Sequence, residues 1–219
     1  MENTFRDINI AFVNEMAQSF DKAGIDIIEV IQVASTKPFA SMPHYPGAGV
    51  GGHCIAQDPY YMIERGKQLG FNHEFLMLAR KINNSMPHYT VELLENELKK
   101  IKKSIKGAKV GVLGLAYKAN VDDIRESPAF EIINILKTKN ADVFVFDPHV
   151  KEGSNVKDLD ELLNKSDYLI LVTDHNEFKN IDLNLLKKNK ILVVIDGRNC
   201  LDKEKIKQMG ILYHGIGRS

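Results

Sequence analysis

A single sulfur sits near the end of the run Pro46-Gly47-Ala48-Gly49-Val50-Gly51-Gly52-His53-Cys54, and Asp58 follows it by four residues. Four glycines in six positions let that backbone take left-handed angles and approach a ligand closely. If Cys54 through Gln57 are helical, Cys54 and Asp58 share one face, because residues four apart are neighbours on a helix. A thiol beside unpaired backbone N–H groups ionises more readily, and the thiolate is the nucleophile. The pairing offers a reactive sulfur with a carboxylate next to it. Two ordinary roles compete. A free cysteine is commonly inert packing, and Asp58, preceding Pro59, would cap a helix from Pro59 to Leu69 that stops at Gly70. The surrounding loop favours chemistry. From Ser35 to Pro59 lie four of the seven prolines and four of the fifteen glycines, and an ordered loop of that length is usually functional. Phe39, Tyr45, Val50 and Ile55 give it side chains to bury.

The elements around this loop follow from periodicity. Phe5, Ile8, Phe12, Met16 and Phe20 recur every three or four residues and predict a helix ended by Gly24. Asp26-Ile27-Ile28-Glu29 reads as a capping box opening a second helix to about Ala34. A long helical region spans about His73 to Lys103, where Pro87 either kinks one helix or begins another. Lys99, Lys100, Lys102 and Lys103 near its end read as a solvated face favoured by the helix dipole. At Gly107 the period changes. Short apolar runs at Lys109–Gly114, Val143–Phe146, Tyr168–Val172, Leu192–Ile195 and Ile211–Tyr213 predict strands. Helical stretches at Pro128–Lys137, Leu159–Asn164 and Leu183–Lys188 separate them, so the crossovers imply a parallel sheet covered on both faces. The predicted class is α/β. Residues 1–106 make an all-helical domain and 107–219 a doubly wound, Rossmann-like domain.

Ligands of open parallel sheets sit beyond the carboxyl ends of the strands. The segment from Leu115 to Pro128 occupies such a place and carries Lys118 and Arg125, both suited to phosphates. Ser127-Pro128 reads as a cap and first helical position, a place where free N–H groups meet anions. Arg198, in Asp196-Gly197-Arg198-Asn199, is a third cation at the same edge. Asp147, ending the second strand, stands where dinucleotide folds put a ribose-binding acid, but Asp147-Pro148 reads better as a turn. The spacing of glycines is not G-x-G-x-x-G, so no dinucleotide fingerprint is written in these residues.

Composition narrows the classes further. Twenty-nine basic residues balance twenty-nine acidic ones, so no global field draws the chain to nucleic acid or a membrane surface. Cys54 and Cys200 do not make a disulfide framework, and a reducing, cytoplasmic setting fits them. No run reaches the roughly 18 apolar residues of a membrane helix. The opening residues go directly into helical periodicity, an abrupt beginning that suggests a preceding segment.

These motifs resemble, over essentially the whole length, the UDP-glucose/GDP-mannose dehydrogenase family, in particular its UDP-N-acetylhexosamine 6-dehydrogenases. The resemblance is carried by Glu2-Asn3-Thr4-Phe5-Arg6-Asp7-Ile8-Asn9, Thr36-Lys37-Pro38-Phe39 and the Pro46–Tyr61 stretch. Tyr117-Lys118, Arg125-Glu126-Ser127-Pro128 and Asp196-Gly197-Arg198-Asn199 complete it in the expected order. It implies oxidation of a nucleotide sugar at C6 to the carboxylate, in two steps with two NAD+, the sugar being UDP-N-acetylmannosamine or its N-acetylglucosamine counterpart. By the same resemblance Cys54 attacks the intermediate aldehyde, Asp58 assists proton transfer, and Asn3 donates to the oxyanion, a contribution on the order of 3 kcal/mol. Arg6, Gly51, Tyr117, Lys118 and Arg198 would bind the UDP-sugar and Arg125 the NAD. The helical domain would make a homodimer, and no metal is expected.

Two features depart from the family. Its amino-terminal NAD domain, and a catalytic lysine one turn before Asn3, would lie before the first residue here. The expectation is a carboxyl-terminal portion that binds NAD poorly and does not turn over alone. Ala48 and Ala56 replace customary prolines without expected consequence. Rival readings are weaker. A cysteine hydrolase needs a histidine base; His53, adjacent to the sulfur in sequence, would point elsewhere, which leaves His44 as the open candidate. A zinc site lacks paired ligands. A receiver domain lacks paired acids after the first strand. A non-catalytic dimerising nucleotide-binding module is the main alternative.

Overall fold

The computed structural model describes residues 1–219 except Pro38, Ala40 and Ser41. Pro38 of the Thr36–Phe39 motif therefore lies outside the described residues. Four helices come first: α1 (Glu2–Ala23), α2 (Ile27–Ala34), α3 (His53–Gln68) and α4 (Glu74–Lys100). Then follow β1 (Lys109–Leu113), α5 (Pro128–Thr138), β2 (Asp142–Phe146), α6 (Leu159–Lys165) and β3 (Tyr168–Leu171). After them come α7 (Asn176–Lys179), α8 (Asn184–Lys188), β4 (Val193–Asp196), α9 (Lys203–Gln208) and β5 (Leu212–Gly215). The strands form one parallel sheet in the order β2-β1-β3-β4-β5. Strand order reverses between β1 and β3, which opens a crevice beyond their carboxyl ends.

Alternation along the strands splits the core in two. Val110, Val112, Tyr168, Ile170, Val193 and Ile195 face one side and pack with Met86, Leu94 and Leu98 of α4 and Ile132 and Leu136 of α5. Leu169, Leu171 and Val194 face the other, against Leu162, Leu163, Phe178 and Ile206. Each fully buried leucine contributes roughly 2 kcal/mol. Because α4 covers the sheet directly, the helices and the strand ends meet at one corner.

Several helices differ from the sequence expectation. Helix α3 begins at His53, so Asp58 caps nothing, and Pro59 lies inside the helix. The glycine at the start, with Gly52 at φ 81, lets the chain turn into the helix six residues earlier than Pro59 would. Helix α4 is continuous through Pro87, its apolar face being held by the sheet. Asp26 caps α2 through the Ile28 amide, while the reciprocal bond from Glu29 is not among the described hydrogen bonds. The short helices α7 and α9 lack the apolar stripe that periodicity detects. Among the described residues no helix is long and apolar enough to cross a membrane.

Candidate functional site

The glycine loop bridges the helices and the sheet, and its glycines are fixed by what surrounds them. A Cβ at Gly51 would lie 2.6 Å from Tyr117 Cβ and 2.8 Å from the Glu126 carbonyl. At Gly52 it would meet the Tyr117 ring at 2.7 Å, and at Gly49 the Pro128 ring at 2.8 Å. Backbone bonds sew the loop down: Ala48 N–H donates to the Gly197 carbonyl (3.1 Å) and Gly52 N–H to the Arg125 carbonyl (2.8 Å). Glycine is required at 51 and 52 because the backbone there runs against the loop after β1.

Cys54 is the second residue of α3 and is exposed. First-turn amides of a helix have no intrahelical acceptor, and Gly52 provides no capping side chain. The thiol therefore stands among free N–H dipoles. It opens on a cleft of about 510 Å³ lined by Asn3 and Arg6 of α1, Gly51, Cys54, Tyr117, Lys118, Arg125 and Arg198 among others. Of the nine residues expected at the site, the cleft lining brings together all but Asp58. Asp58 stands one turn behind Cys54, where its Oδ2 accepts from Asn3 Nδ2 at 2.7 Å. A side-chain amide has two N–H donors, so this bond orients Asn3 and leaves it a second.

The cations are held differently. Arg198 is anchored, with Nε donating to the Val172 carbonyl at 2.7 Å and Nη2 to the Tyr117 carbonyl at 3.2 Å. Burial pulls its pKa down, opposed by Asp174 and Asp196. Arg125 forms a fork with Asp123, Nη2 to Oδ2 being 2.6 Å. That fork holds the Asp123 carboxyl at about 2. Arg6 makes an exposed pair with Glu2 at 3.1 Å. The lining holds four cations and not one carboxylate. An open cleft of that character suits a polyanion.

The loop from Leu115 to Ser127 owes its shape to two buried groups. Asp147 accepts from the amides of Leu115 (2.6 Å), Ala116 (2.9 Å), His149 (2.8 Å) and Val150 (2.9 Å). Burial raises its pKa, yet these bonds and His175 bring it well below the usual range. The turn reading of Asp147 holds, and its carboxylate is fully occupied. His175 Nδ1 accepts from the Asn120 amide at 2.9 Å, so Nε2 carries the proton given to Asp147 at 3.0 Å. His149, His175 and Glu177 place ligand atoms within 4.8 Å of one another, but both nitrogens of His175 are already engaged. Ser127 caps α5 as expected, accepting from Ala129 at 3.3 Å. Tyr45, Ile10, Ile55 and His53 also line the cleft, and sequence reasoning did not place them there. His44 is turned to the Met42 carbonyl and is absent from the lining.

The cleft beyond the carboxyl ends of β1 and β4 combines an exposed thiol with a cationic wall, the character of a site for a phosphate-bearing ligand. The chain belongs to the UDP-glucose/GDP-mannose dehydrogenase family. The family's central-domain model matches residues 1–85 and its UDP-binding-domain model residues 111–203. It is 38% identical over 222 residues to the UDP-N-acetyl-D-mannosamine dehydrogenase of Methanococcus vannielii, covering 99% of this chain and 50% of that protein. The solved UDP-D-ManNAc dehydrogenase of Pyrococcus horikoshii superposes with a TM-score of 0.90 at 36% identity, over all of this chain and 50% of that one. The NDP-N-acetyl-D-galactosaminuronic acid dehydrogenase of Methanosarcina mazei gives 0.92 at 31% identity, over 100% and 49%. The chain spans about half the length of the relatives it matches.

Proposed function

We propose that this chain is the thiol-bearing and UDP-binding half of an NAD-dependent UDP-N-acetylhexosamine 6-dehydrogenase, with UDP-N-acetylmannosamine as substrate. The observation that carries the reading is the exposed Cys54 thiol on a cleft whose lining holds Arg6, Lys118, Arg125 and Arg198 and no carboxylate. Residues 1–106 would be the helical dimerisation domain and 107–219 the UDP-binding domain. The exposed Phe5, Phe12, Phe75 and Leu78 of α1 and α4 support self-association through the helices.

In this reading Arg6, Lys118 and Arg198 bind the nucleotide sugar beside Gly51 and Tyr117. Loss of a hydride and a proton turns the C6 alcohol into an aldehyde. The Cys54 sulfur adds to the aldehyde carbon, and Asn3 donates to the resulting oxygen. Loss of a second hydride from that carbon leaves a thioester. Water, oriented by Asp58, adds to it and releases the carboxylate and the thiol. NAD, when bound, supplies the hydride acceptor for both oxidations. Its phosphates fit the cationic lining, where Arg125 would hold them, but the glycine fingerprint for its adenosine end is not in these residues. The reading therefore assigns NAD chiefly to protein outside this chain.

Calorimetry with UDP-N-acetylmannosamine tests the reading. Binding by the chain, weakened by Arg198→Ala, is expected, with no NADH formed until the amino-terminal half of a relative is supplied. Steady NADH production by the purified chain alone would refute the division of labour. Failure to bind any UDP-sugar would refute the site.

A further inference from the structure

We infer that Asn14 is a positioning residue for the thiol-bearing loop, acting through Gly47 at the end of a buried polar chain. The inference rests on the cleft being the UDP-sugar site. Arg80 Nη1 of α4 donates to Asp7 Oδ1 at 2.6 Å, and Asn83 Nδ2 donates to the same oxygen at 2.8 Å and to the Asp7 carbonyl at 3.0 Å. Asn14 Nδ2 donates to Asn83 Oδ1 at 2.9 Å, and Gly47 N–H donates to Asn14 Oδ1 at 3.0 Å. Asp7, Asn14 and Asn83 are at most 1% exposed and Arg80 is 5% exposed.

The chain has a fixed direction. The Asp7 backbone carbonyl can only accept, so Asn83 must turn its Nδ2 to Asp7 and its Oδ1 to Asn14. Asn14 must then present Nδ2 to Asn83, which leaves its Oδ1 for one donor, the Gly47 amide. Asp7 thereby sets the orientation of two amides and selects the backbone group at the head of the glycine loop. Gly47 itself lines the cleft, whereas Asn14 does not. A Cβ at Gly47 would lie 3.2 Å from Arg198 Nη1, so a small displacement of this residue alters the guanidinium beside it. The other two ties of the loop, Ala48 to Gly197 and Gly52 to Arg125, join backbone to backbone. Asn14 is the side-chain tie among them, and it registers the loop against the helices.

The test uses the full 219-residue chain with Asn14→Ala and Asn14→Asp, read by amide hydrogen exchange and by calorimetry with UDP-N-acetylmannosamine. Asn14→Ala should speed exchange at residues 47–52 about tenfold while the amides of α4 and the sheet keep their rates. Nucleotide-sugar affinity should fall about tenfold with it. Measured at about pH 5, where burial and the facing Asn83 Oδ1 keep the introduced carboxyl protonated, Asn14→Asp keeps an oxygen for Gly47 and an O–H for Asn83 and should restore loop protection. The inference is overturned if the loop exchanges as before, if protection falls equally throughout α1, α4 and the sheet, or if affinity is unchanged while the loop loosens. Should Asn14→Ala not fold, Asn14→Asp decides alone, since loss of loop protection with the acceptor retained would overturn it. A wild-type chain that binds no UDP-sugar would sink the functional reading instead, and exchange would still judge Asn14.

Discussion

The molecule's two cysteines stand in opposite company. Cys54 is exposed on the first turn of α3, and its cleft presents four cations and no acid. Cys200 is half-buried beyond the end of β4, with Sγ 3.9 Å from Asp196 Oδ1. Burial pushes the Cys200 thiol far up, and Asp196 and Asp174 push it further than Lys179 and Arg198 pull it back. Arg198 touches both neighbourhoods, yet its guanidinium is committed to the Val172 and Tyr117 carbonyls on the cleft side. Residue type alone does not make a sulfur a nucleophile. Access and the sign of the surrounding charge do.

The largest expected effect is on alkylation. Iodoacetamide near neutral pH should label Cys54 faster than Cys200 by on the order of a hundredfold, read by peptide mass spectrometry. Comparable rates would abolish the contrast. Next is Gly51→Val, whose Cβ would sit 2.6 Å from Tyr117 Cβ. Overpacking of that kind costs about 2 kcal/mol, and it should lower nucleotide-sugar affinity because it pushes Tyr117 into the cleft. Gly70→Ala is the control. Open space surrounds Gly70, and only its φ of +79 is strained, so a cost of about 1 kcal/mol with unchanged affinity is expected. Equal loss of affinity in both variants would show that the glycine loop does not shape the site.

Strands and long helices were legible because burial repeats with a period that apolar residues record. The run Lys109–Gly114 and the α1 stripe from Phe5 to Phe20 are such records. The start of α3 was not, because Asp58-Pro59 carries a strong local cap signal, and the tertiary seat of the glycine loop overrides it. The exposed place of Cys54 at the head of a helix could be read from glycine spacing. The buried chain from Arg80 to Asn14 could not, since each polar residue looks alone in sequence and only the packing of α1 on α4 joins them. One trace was present: Asp7 and Asn14 are seven apart, two turns on one helix face, at positions a core would fill with apolar groups.

The contrast between the cysteines depends on the helices staying seated on the sheet, since Cys54 belongs to one and Cys200 to the other. His214 of β5 is part of that seat. Its Nδ1 faces Glu97 Oε1 of α4 at 2.8 Å and its Nε2 faces Asp21 Oδ1 of α1 at 3.2 Å. Lys100 also pairs with Glu97 at 2.6 Å, and Tyr89 donates to Asp21. A neutral imidazole has one N–H, so only the imidazolium satisfies both carboxylates. Burial pulls the His214 pKa down, but the bonds to Asp21 and Glu97 raise it above its ordinary 6.5. Burial likewise raises Glu97, while His214 and Lys100 bring it below its ordinary 4.5. The His214 contribution is therefore complete below 6.5 and is lost as pH rises through the elevated folded value. The Glu97 contribution is present above 4.5 and is lost as pH falls. Thermal melts of wild type should weaken from about pH 6 to pH 9 more steeply than those of His214→Phe, a variant costing about 1 kcal/mol near pH 6. Parallel profiles for the two proteins would remove His214 from the seat and leave packing alone to hold the helices on the sheet.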